Sequence, residues 1–230
     1  MSQAFTKETS NVLRRLSAMV AVGVLAGSAA WAQDARVEIS GTAGWTFSDG
    51  VSGTPEDSEL ADYSRIDPKD AFSWGARIGF LATDNWEVGA LFSLQSTTLE
   101  LGGTSALEVG DLSIYNYHGY FAYNFGDADA PVRPYLLGGL GATQFGSLKT
   151  SVGAQREIDG NTKFSTTWAA GLKLFPSPNF GIRLEARWTP TYIKSDAVGW
   201  WCDPYWGCYT VGDAQYANQY ELGGGITLRF

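Results

Sequence analysis

The chain has 230 residues, a formal net charge of −8, 28 glycines and 14% aromatic residues. Its charged fraction of 17% falls below the usual ~25%. Plentiful aromatics argue against a disordered chain, negative charge without a basic stretch argues against a nucleic-acid partner, and two cysteines are too few for a disulfide scaffold.

The chain opens like an export signal. Lys7, Arg14 and Arg15 make a positive start, Leu16 to Ala30 carry no charge, and Ala30-Trp31-Ala32 offers small residues at both positions of a cleavage site. The expectation is a signal peptide over residues 1–32, removed before Gln33, leaving 33–230 as one domain. The uncharged stretch is short for a spanning helix, which needs ~20 residues. Export also makes a disulfide between Cys202 and Cys208 chemically feasible.

Beyond residue 33 the pattern has a period of two, the mark of strands with unlike faces. The first run sets Val37, Ile39, Trp45 and Phe47 against Glu38, Ser40, Thr42 and Thr46. The second sets Phe72, Trp74, Ile78 and Phe80 against Ser73, Gly75 and Arg77, and the third Trp86, Val88, Phe92 and Leu94 against Glu87, Ser93 and Gln95. In the fourth, Tyr117, Phe121 and Tyr123 oppose His118 and Asn124. The fifth, Arg133 to Phe145, is apolar on both parities and its faces stay unassigned. The sixth sets Phe164, Trp168 and Leu172 against Ser165, Thr167 and Lys173; the seventh sets Ile182, Leu184 and Trp188 against Arg183, Glu185 and Arg187. The eighth sets Tyr220, Leu222, Ile226, Leu228 and Phe230 against Glu221, Gly223, Thr227 and Arg229.

Connectors alternate in length. Thr83–Asn85, Gly126–Val132 and Pro176–Asn179 are short; Asp49–Asp70, Leu99–Gly110, Gly146–Asn161 and Lys194–Ala217 are long. The expected fold is all-β, an eight-stranded antiparallel up-and-down barrel with both ends of the mature chain on the short-turn side. A soluble barrel would bury the apolar face and a membrane barrel would expose it. Aromatics at the strand ends, where lipid interfaces favour them, and charges too frequent for an apolar ligand cavity favour a transmembrane β-barrel.

The closing stretch from Tyr220 to Phe230, with Ile226, Leu228 and Phe230 on one face, resembles the C-terminal signal that outer-membrane barrels present to their assembly machinery. With Tyr117–Phe125, Pro134-Tyr135 followed by Gly138, Gly139 and Gly141, and Leu184 to Arg187, the mature chain resembles the outer-membrane β-barrel family of opacity-type, OmpA-like and OmpX-like proteins. That resemblance implies residence in the bacterial outer membrane, contact with lipid and lipopolysaccharide, and assembly through the C-terminal strand. It implies a structural or surface-interaction role rather than an enzyme, with an unidentified surface ligand. A narrow porin for ions or small solutes is the alternative.

Eight strands enclose a space that side chains can fill. The inward parity gives Glu38, Arg77, Glu87, His118, Lys173, Arg183, Glu185, Arg187, Glu221 and Arg229, five cations and four carboxylates with one histidine. Such near balance suits a plug of paired charges. Arg77, Arg183, Glu185 and Glu221 are expected to pair at mid-depth, with Glu38, Glu87, Lys173 and Arg229 nearer the periplasmic end. A narrow ion path lined by the same groups is the other reading.

His118, the one histidine, has Asn116 and Tyr120 one strand step away rather than a serine, and there is no nucleophile-elbow motif. It is read as an interior histidine bonded to a carboxylate. No spacing of His and Cys suggests a metal site, and no cofactor is expected. The fourth long connector holds Trp200, Trp201, Tyr205, Trp206 and Tyr209 around Cys202 and Cys208. These aromatics form either an extracellular contact surface or a cluster that packs upon itself or caps the barrel mouth. The first long connector is acidic (Asp49, Glu56, Asp57, Glu59, Asp62, Asp67, Asp70), which serves solubility or divalent cations bridging to lipid phosphate.

Overall fold

The computed structural model describes residues 37–52, 63–103, 107–149, 157–158, 160–193, 201–203, 207–209 and 215–230. The expected signal peptide, most of the acidic first connector, and Trp200, Tyr205 and Trp206 lie outside the described residues.

Eight strands form the barrel: β1 Val37–Ser48, β2 Ala71–Leu81, β3 Trp86–Gly103, β4 Leu107–Asn124, β5 Val132–Phe145, β6 Asn161–Ser177, β7 Phe180–Ile193 and β8 Gln215–Arg229. Each pairs antiparallel with its neighbours in sequence. β8 closes the ring against β1, with Glu38 opposite Arg229 and Phe47 opposite Tyr220. Along paired positions, Gln95 leads through Ser73, Gly44, Gly223, Glu185, Gly171 and Tyr135 to Asn124. The Asn124 N–H then bonds the Asn85 carbonyl at 2.7 Å. One circuit thus returns to the same stretch of chain at Asn85 rather than Gln95, and a stagger of this kind is what tilts the strands of a closed barrel.

The pleat settles which side chains go where. Ile39, Trp45, Phe72, Trp74, Ile78, Phe121, Leu140, Trp168, Leu184, Leu222 and Ile226 are exposed, while Glu38, Arg77, Glu87, Lys173 and Arg183 are buried. The barrel is therefore apolar outside and charged inside, the arrangement lipid requires. At the short-turn end Tyr123 packs edge-on to Trp86 and Phe125, with ring centroids 5.1 and 5.0 Å apart. Toward the other end Trp188 stacks on Tyr220 at 6.5 Å and Tyr192 meets Tyr216 at 5.6 Å. Aromatic rings at both heights match the two lipid interfaces.

One assignment left open by the sequence can now be made, and one expectation needs correction. The fifth run does have distinct faces: Arg133, Tyr135, Leu137, Gly139, Thr143 and Phe145 point inward and Leu136 and Leu140 outward. The stretch Leu99–Gly110 is mostly strand rather than loop, because β3 runs on to Gly103 and β4 begins at Leu107. A further strand, Tyr63–Pro68, pairs with this extension, Pro68 opposite Leu99 and Ile66 opposite Leu101. Val51–Ser52 pairs with it in turn. Lys69 ties this edge together with ion pairs to Glu100 (2.7 Å) and to Glu108. Its hydrogen bonds to those two carboxylates hold the ammonium above its ordinary pKa.

Candidate functional site

The interior is built in layers, because inward residues recur every second position and the ladders bring eight strands' worth of them to each height. The layer nearest the short turns is ionic. Lys173 Nζ donates to Glu38 Oε2 at 2.6 Å and Glu87 Oε2 at 2.5 Å. Arg229 binds Glu38 Oε1 at 2.8 Å, and Arg183 reaches Glu38 Oε2 at 3.3 Å. The Tyr120 hydroxyl donates to Glu87 Oε1 at 2.6 Å. Leu81 and Phe175 are buried at the same end, and the Arg229 guanidinium lies 3.8 Å from the Phe175 ring centroid.

The next layer centres on Glu185. Both its oxygens take Arg77 Nη2 at 2.8 Å, and the Tyr135 hydroxyl donates to Oε2 at 2.5 Å. Arg77 and Arg183 lie over the rings of Tyr120 and Tyr135, at 5.2 and 5.0 Å from the centroids. Two bare positions make room for these tyrosines. A methyl at Gly79 would stand 2.6 Å from the Tyr120 hydroxyl, and one at Gly171 would stand 2.6 Å from that of Tyr135. Higher still, Glu221 Oε2 takes Arg187 Nη2 at 2.5 Å and contacts the Ser73 and Thr46 hydroxyls at 2.9 and 3.3 Å.

Above the charges the interior turns to neutral polar groups. Asn116 contacts Thr143 at 2.7 Å and Gln219 at 3.2 Å, and Gln219 donates to Gln95 at 2.7 Å. Leu99, Leu112, Ile114, Phe145, Ile193 and Ala217 are buried inward positions toward the long connectors.

Glu38, Arg77, Glu87, His118, Lys173, Arg183, Arg187 and Arg229 are buried and Glu185 and Glu221 nearly so, with pairing that differs from expectation in two places. Glu221 pairs with Arg187, while Arg183 turns down to Glu38 rather than joining the mid-depth pairs. His118 bonds no carboxylate: its Nε2 lies 2.9 Å from Ser165 Oγ and its Nδ1 has no partner. Ser165 sits on β6, and no local spacing around His118 could reveal it. Sequence reasoning also missed Arg133, Tyr120 and Tyr135 as interior groups. Tyr120 shares the parity of His118, and Arg133 was the one charge in an apolar run; those were the available signals.

A serine beside a histidine invites comparison with hydrolytic sites. Here both side chains are buried within the barrel, at 1% and 3% exposure, and Nδ1 lacks the acid that would orient the ring. Among the described residues no group of three or more His, Cys, Asp or Glu is placed to hold a metal ion. The loop cysteines fall on a short ribbon, Trp201–Asp203 paired with Gly207–Tyr209, which places Cys202 directly opposite Cys208 along the backbone.

No curated protein sequence matches the chain. Solved structures do match in fold. Neisserial surface protein A is 15% identical, covering 84% of this chain and 97% of its own, with a TM-score of 0.55. OprG from Pseudomonas aeruginosa is 12% identical, covering 86% and 97%, also at 0.55. AlkL, solved in lipid bilayers, is 12% identical, covering 86% and 90%, at 0.51. The family model for the outer membrane protein beta-barrel domain matches residues 17–230. With a closed ring of eight antiparallel strands, an apolar outer wall and a charged interior, the chain belongs to this family of bacterial outer-membrane β-barrels.

Proposed function

We propose that the protein is a structural or surface-interaction barrel that carries no solute through its centre and meets its surroundings through the outer loops. The observation that carries this reading is the interior: Arg133, Arg183, Lys173, Glu38, Glu87, Tyr120 and Tyr135 are each at most 1% exposed. They lie in ion pairs and hydrogen bonds that an ion would have to break. In planar bilayers the purified barrel is expected to give a flat current trace; steps of reproducible size would sink this reading. They would favour the second reading, a narrow porin, which draws on the buried polar side chains found at every height from Gln95 and Gln219 down to Glu38. No catalytic role is assigned to His118 and Ser165, for the reasons of burial and the missing acid given above.

The same proposal includes export by a signal peptide removed before Gln33, a Cys202–Cys208 disulfide, and assembly through Ile226, Leu228 and Phe230. Outer-membrane lipid and lipopolysaccharide are the partners of the apolar wall and rim. Trp200, Trp201, Tyr205, Trp206 and Tyr209 are the candidate contact surface for an unidentified ligand. Support for the disulfide comes from the opposed backbone positions of the two cysteines. Intact-mass measurement on protein from the outer-membrane fraction tests these points together. The expected mass is that of residues 33–230 less two hydrogens, with a lower yield for Phe230→Ala. A mass including residues 1–32, a gain of no hydrogens on reduction, or an undiminished Phe230→Ala yield would each overturn its own part.

A further inference from the structure

The interior layer nearest the short turns holds more positive charge than its carboxylates neutralise. Lys173 stands opposite Arg133 on one side and Arg183 on the other. Three cations thus lie side by side on β5, β6 and β7, which is unfavourable unless anions lie among them. Arg229 adds a fourth; the carboxylates among them are Glu38 and Glu87, with Asp84 of the adjoining short turn near Arg133. Lys173 bridges those two, Arg229 takes Glu38 Oε1, and Arg183 gains one contact of 3.3 Å to Glu38 Oε2. Arg133 Nη2 donates to a main-chain oxygen, that of Asp84, at 2.5 Å. The layers above are matched, Arg77 with Glu185 and Arg187 with Glu221. The excess is therefore local.

Unused donors lie in this layer, as they also do on Arg77 above it, whose Nε and Nη1 have no hydrogen-bond partner either. Arg133 and Arg183 are 0% and 1% exposed, yet Nε and Nη1 of each have no hydrogen-bond partner. Water could accept from these N–H groups but supplies no charge, and a buried guanidinium without a counter-ion is strongly disfavoured. The two arginines stand two strand spacings apart, ~10 Å, within reach of a small body between their side chains. Lys173 stands between them on β6 and the Tyr135 ring centroid lies 5.0 Å from the Arg183 guanidinium, which favours a small occupant over a large one.

We propose that this layer binds a small inorganic anion of halide size between Arg133 and Arg183, which donate to it through Nε and Nη1. Bromide is the probe, because it scatters anomalously. Crystals of the full barrel grown in sodium bromide are expected to show one interior anomalous peak between the two guanidinium groups. The midpoint of thermal unfolding is expected to rise with bromide concentration when sodium gluconate keeps the ionic strength constant, as binding to the folded state alone requires. Arg133→Gln removes one charge and two of the spare donors, and should abolish that dependence. If the variant fails to fold, the wild-type map and titration still decide. An interior without a bromide peak, or a wild-type midpoint equal in bromide and gluconate, would overturn the proposal and leave water as the occupant.

Discussion

Lys173→Met is expected to destabilise the barrel by about 3–5 kcal/mol, the scale seen when one partner of a buried ion pair is removed. The ammonium donates to Glu38 and Glu87 at 2.6 and 2.5 Å, and its side chain and theirs are at most 1% exposed. Methionine fills a similar volume and supplies no charge, so two carboxylates would share a dry space with Arg229 and Arg183 placed chiefly on Glu38. The loss is therefore electrostatic rather than steric. Denaturant-dependent unfolding in detergent or lipid vesicles measures it. Adding Glu87→Gln to Lys173→Met should recover part of the loss, because the second change removes a charge that the first strands; a non-additive pair is the sign of direct coupling. A single variant within about 0.5 kcal/mol of wild type, the range of ordinary surface changes, would mean that the ionic layer contributes nothing to stability.

The second large effect concerns the outer wall. Leu222 lies midway along β8, opposite Trp45 and Ala186, and is 59% exposed. In a soluble barrel that position would face water and accept arginine at little cost. In a lipid-facing wall at mid-depth, Leu222→Arg should cost about 2–4 kcal/mol, measured by reversible unfolding from lipid vesicles. Thr227→Arg would test a different quantity, since Thr227 is buried inside and bonded to Ser40 at 2.9 Å. The Leu222 result isolates the lipid face. A neutral outcome would contradict the assignment of the apolar face to the membrane.

The strands were legible because the pleat sends successive side chains to opposite faces. Glu38 and Ile39, Arg77 and Ile78, Arg183 and Leu184 must point to opposite sides wherever the strand lies. The charge of Arg183 and the apolarity of Leu184 then say which side meets lipid. β5 resisted this reasoning because its inward set includes Tyr135, Leu137 and Phe145, as apolar as its outward set. What lets Tyr135 fit inside is the bare Gly171 across from it, a relation between strands that neither strand displays alone. The extension of β3 and β4 was hidden for a similar reason. Leu99 to Gly110 reads as Gly- and Glu-containing loop, and the pairing with Tyr63–Pro68 that supports it lies far back in the sequence.

The candidate site divides in the same manner. Parity alone brought Glu38, Arg77, Glu87, His118, Lys173, Arg183, Glu185, Arg187, Glu221 and Arg229 to one surface. It had no means of assigning partners, because these depend on register around a closed ring. Glu38 is held by residues of β6, β7 and β8, and His118 meets Ser165 through the register of β4, β5 and β6.

The sequence by itself determined the eight barrel strands, the identity of the lipid face and the membership of most of the interior, since each follows from local alternation and the lengths between runs. The tertiary structure alone decided which charges pair, that Arg133 joins Lys173 and Arg183 in one row, and that Glu38 and Glu87 are the carboxylates that form ion pairs with that row among the described residues. Those properties belong to the stagger of the closed barrel. It sets residues far apart in the chain at one height, and electrostatic energy depends on that distance in space rather than on separation along the chain.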